Sequence, residues 1–169
     1  MEAGFSSLIG QLLNGLAGAS SLFLVAAGLS LIFGVTRIVN FAHGSFYMLG
    51  LYVAYTLVER LSGSIGFWPA LLLAPLATGV LGAVVEMALL RRIYRAPELL
   101  QLLATFALVL VVKDAVLWAW GPEELFGPRA PGLEGSVNVL GRPFPAYDLL
   151  LIAIGPVVLA ALWWLLHRT

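Results

Sequence analysis

The sequence predicts an all-α, polytopic transmembrane helix bundle, and three observations predict it. Of 169 residues, 61% are hydrophobic and only 11% are charged, against about 25% charged in soluble domains. Mean hydropathy is +0.99. Apolar stretches long enough to cross a bilayer recur between short charged clusters. Nine basic residues cancel nine acidic ones, which excludes the basic excess that nucleic-acid binding needs. Zero Cys excludes disulfides, thiolate metal sites and Cys nucleophiles.

Five spans follow in order, each needing about 20 apolar residues at about 1.5 Å rise. The first, Leu8–Thr36, holds no charge, and its acidic leader Met1-Glu2 is unlike a signal peptide. The second, Val39–Val58, lies between Arg37 and the Glu59-Arg60 pair. The third, Phe67–Leu90, has Glu86 as its one charge and ends at Arg91, Arg92 and Arg95. The fourth, Leu99–Trp120, contains Lys113 and Asp114, and the fifth, Leu149–Leu166, precedes His167-Arg168. Orientation follows Lys and Arg in short loops. With the N-terminus out and the C-terminus in, Arg37, Arg91, Arg92, Arg95 and Arg168 lie inside, and Arg60, Arg129 and Arg142 outside. The Gly- and Pro-rich stretch 121–146 is too polar and broken for another span. It is expected as an outer loop with a short helix or none, the docking surface of a single transmembrane domain over residues 1–169.

The segment NFAHGSFYMLG, Asn40 to Gly50, is the most informative. On a helix Asn40, His43, Gly44, Tyr47, Gly50 and Ala54 form one polar or small stripe. Ala42, Phe46, Leu49, Val53 and Leu57 form an apolar one, expected to meet lipid. The polar stripe must meet protein or water, because an unpaired polar group in hydrocarbon is costly. Two readings stand: a face lining a cavity or gate near the inner boundary, or a helix start with Asn40 capping the first turn and His43 bonded to a neighbour. One His without a carboxylate or second His nearby is a poor metal or catalytic site.

Small residues set helix contacts in membranes. Ala26, Ser30 and Gly34 repeat every four residues in the first span, Gly15 pairs with Ala19, and Gly79 with Ala83. Pro75 and Gly155-Pro156 interrupt the third and fifth spans. Intramembrane charges are functional candidates. Glu86 precedes Arg91 by five residues, a poor spacing for an α-helical ion pair. Lys113 can snorkel outward, and Asp114 is expected to pair with another helix. Glu86 and His43 lie toward the inner side and Asp114 toward the outer, so they do not converge as an intramembrane enzyme requires.

The run GLSLIFGVTRIVNFAHGSFYMLGLYVAY resembles the signature of inner-membrane permeases of branched-chain amino acid ABC importers. The likeness extends through LLNGLAGASSLFLVAAG upstream, and through EMALLRRIYRAPELLQLLATFALVLVVKDAVLWAWGPE and GRPFPAYDLLLI downstream. It implies a non-enzymatic permease subunit of the bacterial inner (plasma) membrane. The implied partners are a second permease subunit, two cytoplasmic ATP-binding subunits and a periplasmic substrate-binding protein. The chain itself would hold no cofactor, since its partners use the ATP. The resemblance carries over Asn40, Phe41, His43, Gly44 and Tyr47 as the family motif, shaping the translocation path or gate.

Two departures stand out. Ser45 occupies a position where an acidic residue often follows the Gly in this family. Family members are also longer, with a basic ATPase-docking segment and further spans after one like Leu149–Leu166. The chain is at His167-Arg168-Thr169 where that segment begins, so an N-terminal portion is expected. The alternatives are the same fold importing urea, short amides or other amino acids, and a non-transporting assembly subunit.

Overall fold

The computed structural model describes residues 2–36, 40–61, 64–127, 130–139 and 142–168. Arg37, Val39 and Arg129, used above for a span boundary and the charge bias, lie outside the described residues, as does the side chain of Arg142. In chain order the elements are α1 (Glu2–Thr36), α2 (Ala42–Arg60), α3 (Ser64–Val85), a π turn (Glu86–Leu90), α4 (Arg91–Ile93), α5 (Glu98–Trp120), β1 (Ser136–Val139), β2 (Arg142–Pro145) and α6 (Ala146–Arg168). Among the described residues four helical stretches are long and apolar enough to cross a membrane: Ser7–Val35, Gly66–Ile93, Glu98–Trp120 and Ala146–Arg168. The protein is a polytopic helical membrane protein. The segment expected as the second span forms the 19-residue α2, diluted by His43, Ser45, Thr56, Glu59 and Arg60.

Among its described residues the stretch 121–146 holds no helix of its own, as one of the two expectations had it, and adds an antiparallel ribbon, with Val137 opposite Phe144 and Val139 opposite Arg142. Alternating Val137 and Val139 supply the period of two that a strand requires. Pro143 and Pro145 sit in a two-stranded ribbon, where missing N–H donors are tolerated. The Ala146 N–H donates to the Gly135 carbonyl at 3.0 Å, tying the ribbon to the start of α6.

The chain divides into two compact units, Met1–Gly28 with Arg129–Thr169, and Leu29–Pro128. In the first, α1 and α6 approach where Ser20 meets Gly155. A Cβ on Gly155 would lie 2.9 Å from Ser20 Oγ and 3.2 Å from its Cβ. Ala17 and Ser20, three apart on one face of α1, are both buried.

In the second unit α2 packs between α3 and α5. Gly50 lies against Thr78 of α3, and Ala42 shares a core with Leu90 at the far end of the π turn, so α2 and α3 run antiparallel. The buried Thr105, Leu108, Val112 and Val116 of α5 form one helical stripe facing that core. The Trp120 indole donates to Thr56 Oγ1 at 2.8 Å, and Thr56 donates onward to the Tyr52 carbonyl at 2.9 Å. The Tyr52 and Trp120 rings meet with centroids 5.4 Å apart. Ala42 beside Leu108 and Thr56 beside Trp120 make α2 parallel to α5.

One group in this packing lacks a partner. Thr78 Oγ1 is buried without a hydrogen bond among the described residues. A buried hydroxyl left unpaired costs about 1–3 kcal/mol, and an apolar replacement of the same shape removes that cost. Thr78→Val is therefore expected to leave thermal stability in detergent unchanged or raised. A clear fall in the melting temperature would show that the hydroxyl is bonded.

Candidate functional site

The candidate site lies where α2 begins. Asn40 Oδ1 accepts the Ala42 N–H at 3.0 Å, and its carbonyl accepts the His43 N–H at 3.2 Å. The side chain thus satisfies one of the orphan donors of the first turn, the capping role the sequence allowed. His43 is half-buried, and among the described residues its imidazole has no hydrogen-bonded partner. No cluster of three or more potential metal ligands occurs among the described residues.

Within this chain the faces of α2 do not divide as the two stripes do: Asn40 and Gly50 of the polar stripe pack inward together with members of the apolar one. Ala42 is 0% exposed and Ser45 5%. Phe46 and Leu49, expected to meet lipid, pack against the core. Phe41, Gly44 and Tyr47 are exposed. The reason is that close helix approach in a membrane follows side-chain size more than polarity. Ala42 and Ser45 let the neighbouring helices in, and Phe46 and Leu49 fill the flanking gaps. The motif therefore divides: Asn40 turns to the chain's own interior, while Phe41, Gly44 and Tyr47 are left uncovered by it. Of the intramembrane charges, Glu86 is half-buried, whereas Lys113 and Asp114 are exposed. Among the described residues Asp114 shows no pairing with another helix.

Beside Asn40 is a small cavity of about 30 Å³, lined by Ile32, Asn40, Leu90, Ile93, Tyr94, Gln101 and Thr105. It is large enough for about one water. Pro97 opens α5, and Gln101 one turn later folds back to the elbow. Its Nε2 donates to the Ala96 carbonyl at 2.8 Å and the Tyr94 carbonyl at 3.2 Å. Those carbonyls end α4 and would otherwise lack partners. Thr105, 1% exposed, donates to the Leu102 carbonyl at 3.1 Å and keeps acceptor capacity toward the cavity. The Tyr94 phenol is pushed above its ordinary pKa by burial first, then by the charge and hydrogen bond of the Glu86 carboxylate, with Arg91 pulling the other way. It stays protonated at neutral pH and remains a donor. Amides, a phenol and a hydroxyl can orient a polar passenger or a water; the set offers no nucleophile paired with a base.

The motif pointed to Asn40, but Tyr94, Gln101 and Thr105 escaped sequence reading. A signal was present: polar Gln101 and Thr105 are four apart in an apolar helix, directly after a proline. The π turn escaped too, although Glu86 and Arg91, at a spacing of five, supply the carbonyl and N–H that close it.

Long apolar helices define the class as a polytopic membrane protein. The chain belongs to the branched-chain amino acid transport system / permease component family, which matches residues 11–169. It is 28% identical over 168 residues to the high-affinity branched-chain amino acid transport system permease protein BraD of Pseudomonas aeruginosa, covering 94% of this chain and 55% of that protein. It is 26% identical over 137 residues to the corresponding LivH proteins of Salmonella typhimurium and Escherichia coli, covering 76% of this chain and 44% of theirs. The chain thus spans about half the length of the curated relatives it matches. No solved structure matches it.

Proposed function

We propose that this chain forms part of the membrane path of an ABC importer for branched-chain amino acids in the bacterial inner membrane. The family match over residues 11–169 carries the reading. A second permease subunit, two cytoplasmic ATP-binding subunits and a periplasmic substrate-binding protein complete the machine, and the partners consume the ATP. Asn40, Phe41, His43, Gly44 and Tyr47 shape the path. Five spans cross, with the N-terminus out and Arg91, Arg92, Arg95 and Arg168 on the cytoplasmic side. Counting α2 as a span is supported by its length of about 28 Å, close to the hydrocarbon thickness. It is also supported by its course beside α5 from Leu108 to Trp120.

Labelled leucine uptake by cells expressing the full transporter tests the reading, with unlabelled isoleucine, valine and urea as competitors. Isoleucine and valine are expected to compete. Competition by urea alone would transfer the same fold to a different cargo. His43→Ala is expected to reduce uptake severalfold while the protein still inserts at its normal level. Unimpaired uptake would remove His43 from the path.

A further inference from the structure

The cavity beside Asn40 has one wall of special construction. Leu90, Ile93 and Tyr94 stand at i, i+3 and i+4, so they share a helical face, and all three line the cavity. The helix widens there into the π turn, of which Leu90 is the last residue, and the Arg91 N–H reaches back five residues to the Glu86 carbonyl. A π turn is an α-helix holding one extra residue. That extra residue decides which way the wall faces. In a continuous α-helix Glu86 and Tyr94, eight apart, would point about 80° away from each other. The wide turn brings them to within about 20° of alignment. The other end of the wall is the elbow over residues 94–96, clamped to α5 by Gln101 and able to absorb a change of register. If the extra residue passes from the π turn into the elbow, Leu90, Ile93 and Tyr94 rotate by about 100° away from the cavity.

We propose that the cavity bordered by Asn40, Tyr94, Gln101 and Thr105 is a gated waypoint on the translocation route, and that the π turn at Glu86–Leu90 is the hinge of its gate. This rests on the transport reading above and names the moving part within it. In the present state the wall is turned inward and leaves room for about one water. Glu86 is a positioning residue that holds Tyr94 in this register. Rotation of the wall opens the waypoint to a polar passenger.

Residues 1–169 hold no Cys, so an introduced thiol is the only one in this stretch. Thr105→Cys places it in the cavity wall at a position 1% exposed. Phe126→Cys places it at a loop position 84% exposed, as a control for folding and insertion. The full-length chain with its partners, in membrane vesicles, is treated with a small methanethiosulfonate reagent. Deleting Ala88 removes the extra residue and leaves the flanking faces where they are. It is expected to slow labelling of Thr105→Cys by about tenfold, because a buried thiol reacts only from the open population. Glu86→Gln loosens the hold on Tyr94 and is expected to speed that labelling about threefold. Phe126→Cys should label at one rate in every background. If the deletion disturbs that control or the protein's membrane level, the Glu86→Gln arm decides. Thr105→Cys labelling unchanged by Glu86→Gln, or by a well-inserted deletion variant, overturns the gate. Lack of leucine uptake by the unmodified transporter, with the labelling contrast intact, overturns the substrate and not the gate.

Discussion

Ala42→Leu is expected to destabilise the protein by about 1–3 kcal/mol, the usual cost of forcing extra methylenes into a filled core. Ala42 is 0% exposed and shares its core with Leu90, Leu108, Val112 and Val116. Its methyl sets how closely the start of α2 approaches the π turn and α5. A Leu there must push Leu90 aside or lift α2, and either shift distorts the cavity capped by Asn40. Thermal unfolding in detergent measures the loss. Ala42→Gly separates crowding from helix propensity, since it removes bulk and costs only about 1 kcal/mol of propensity. An Ala42→Leu protein as stable as the parent would mean that this core is not filled.

Gly155→Leu is expected to have a comparable or larger effect on the other unit. A Cβ at this position already falls 2.9 Å from Ser20 Oγ, 3.2 Å from Ser20 Cβ and 3.7 Å from its Cα. A hydroxyl can rotate away, but the Cβ and backbone behind it cannot, so α1 and α6 must separate. In a membrane such separation gives up van der Waals contact that lipid replaces poorly. Gly155→Ala should lose less, and Ser20→Gly should restore much of that smaller loss. A double-mutant cycle over these residues reads the contact directly. Additive losses from the two single changes would show that the residues do not touch.

Much of the fold is legible in the sequence because lipid imposes strict rules. Apolar stretches at Leu8–Thr36, Phe67–Leu90, Leu99–Trp120 and Leu149–Leu166 coincide with long helices, since backbone polar groups in hydrocarbon must be paired internally. Helix ends were less legible. Helix α6 continues outward to Ala146 and Arg168 because charged residues remain helical beyond the apolar stretch. The burial of Ala42 and Ser45 is not legible from polarity, because small side chains set the close approach of α2 to its neighbours. The site was half visible. Asn40 stood out as a polar residue before an apolar run, but its partners Tyr94, Gln101 and Thr105 lie more than fifty positions away. Only the parallel course of α2 and α5 brings them together.

The bond from Trp120 to Thr56 has a mechanical consequence for the pair of helices it joins. Hydrocarbon supplies no substitute donor for that hydroxyl, so parting there is penalised far more than it would be in water. Near the opposite ends Asn40, just before α2, and Gln101 and Thr105 of α5 border a void of about 30 Å³, and among the described residues no side-chain hydrogen bond joins the two helices there. The indole end is thus where the two helices are hardest to part.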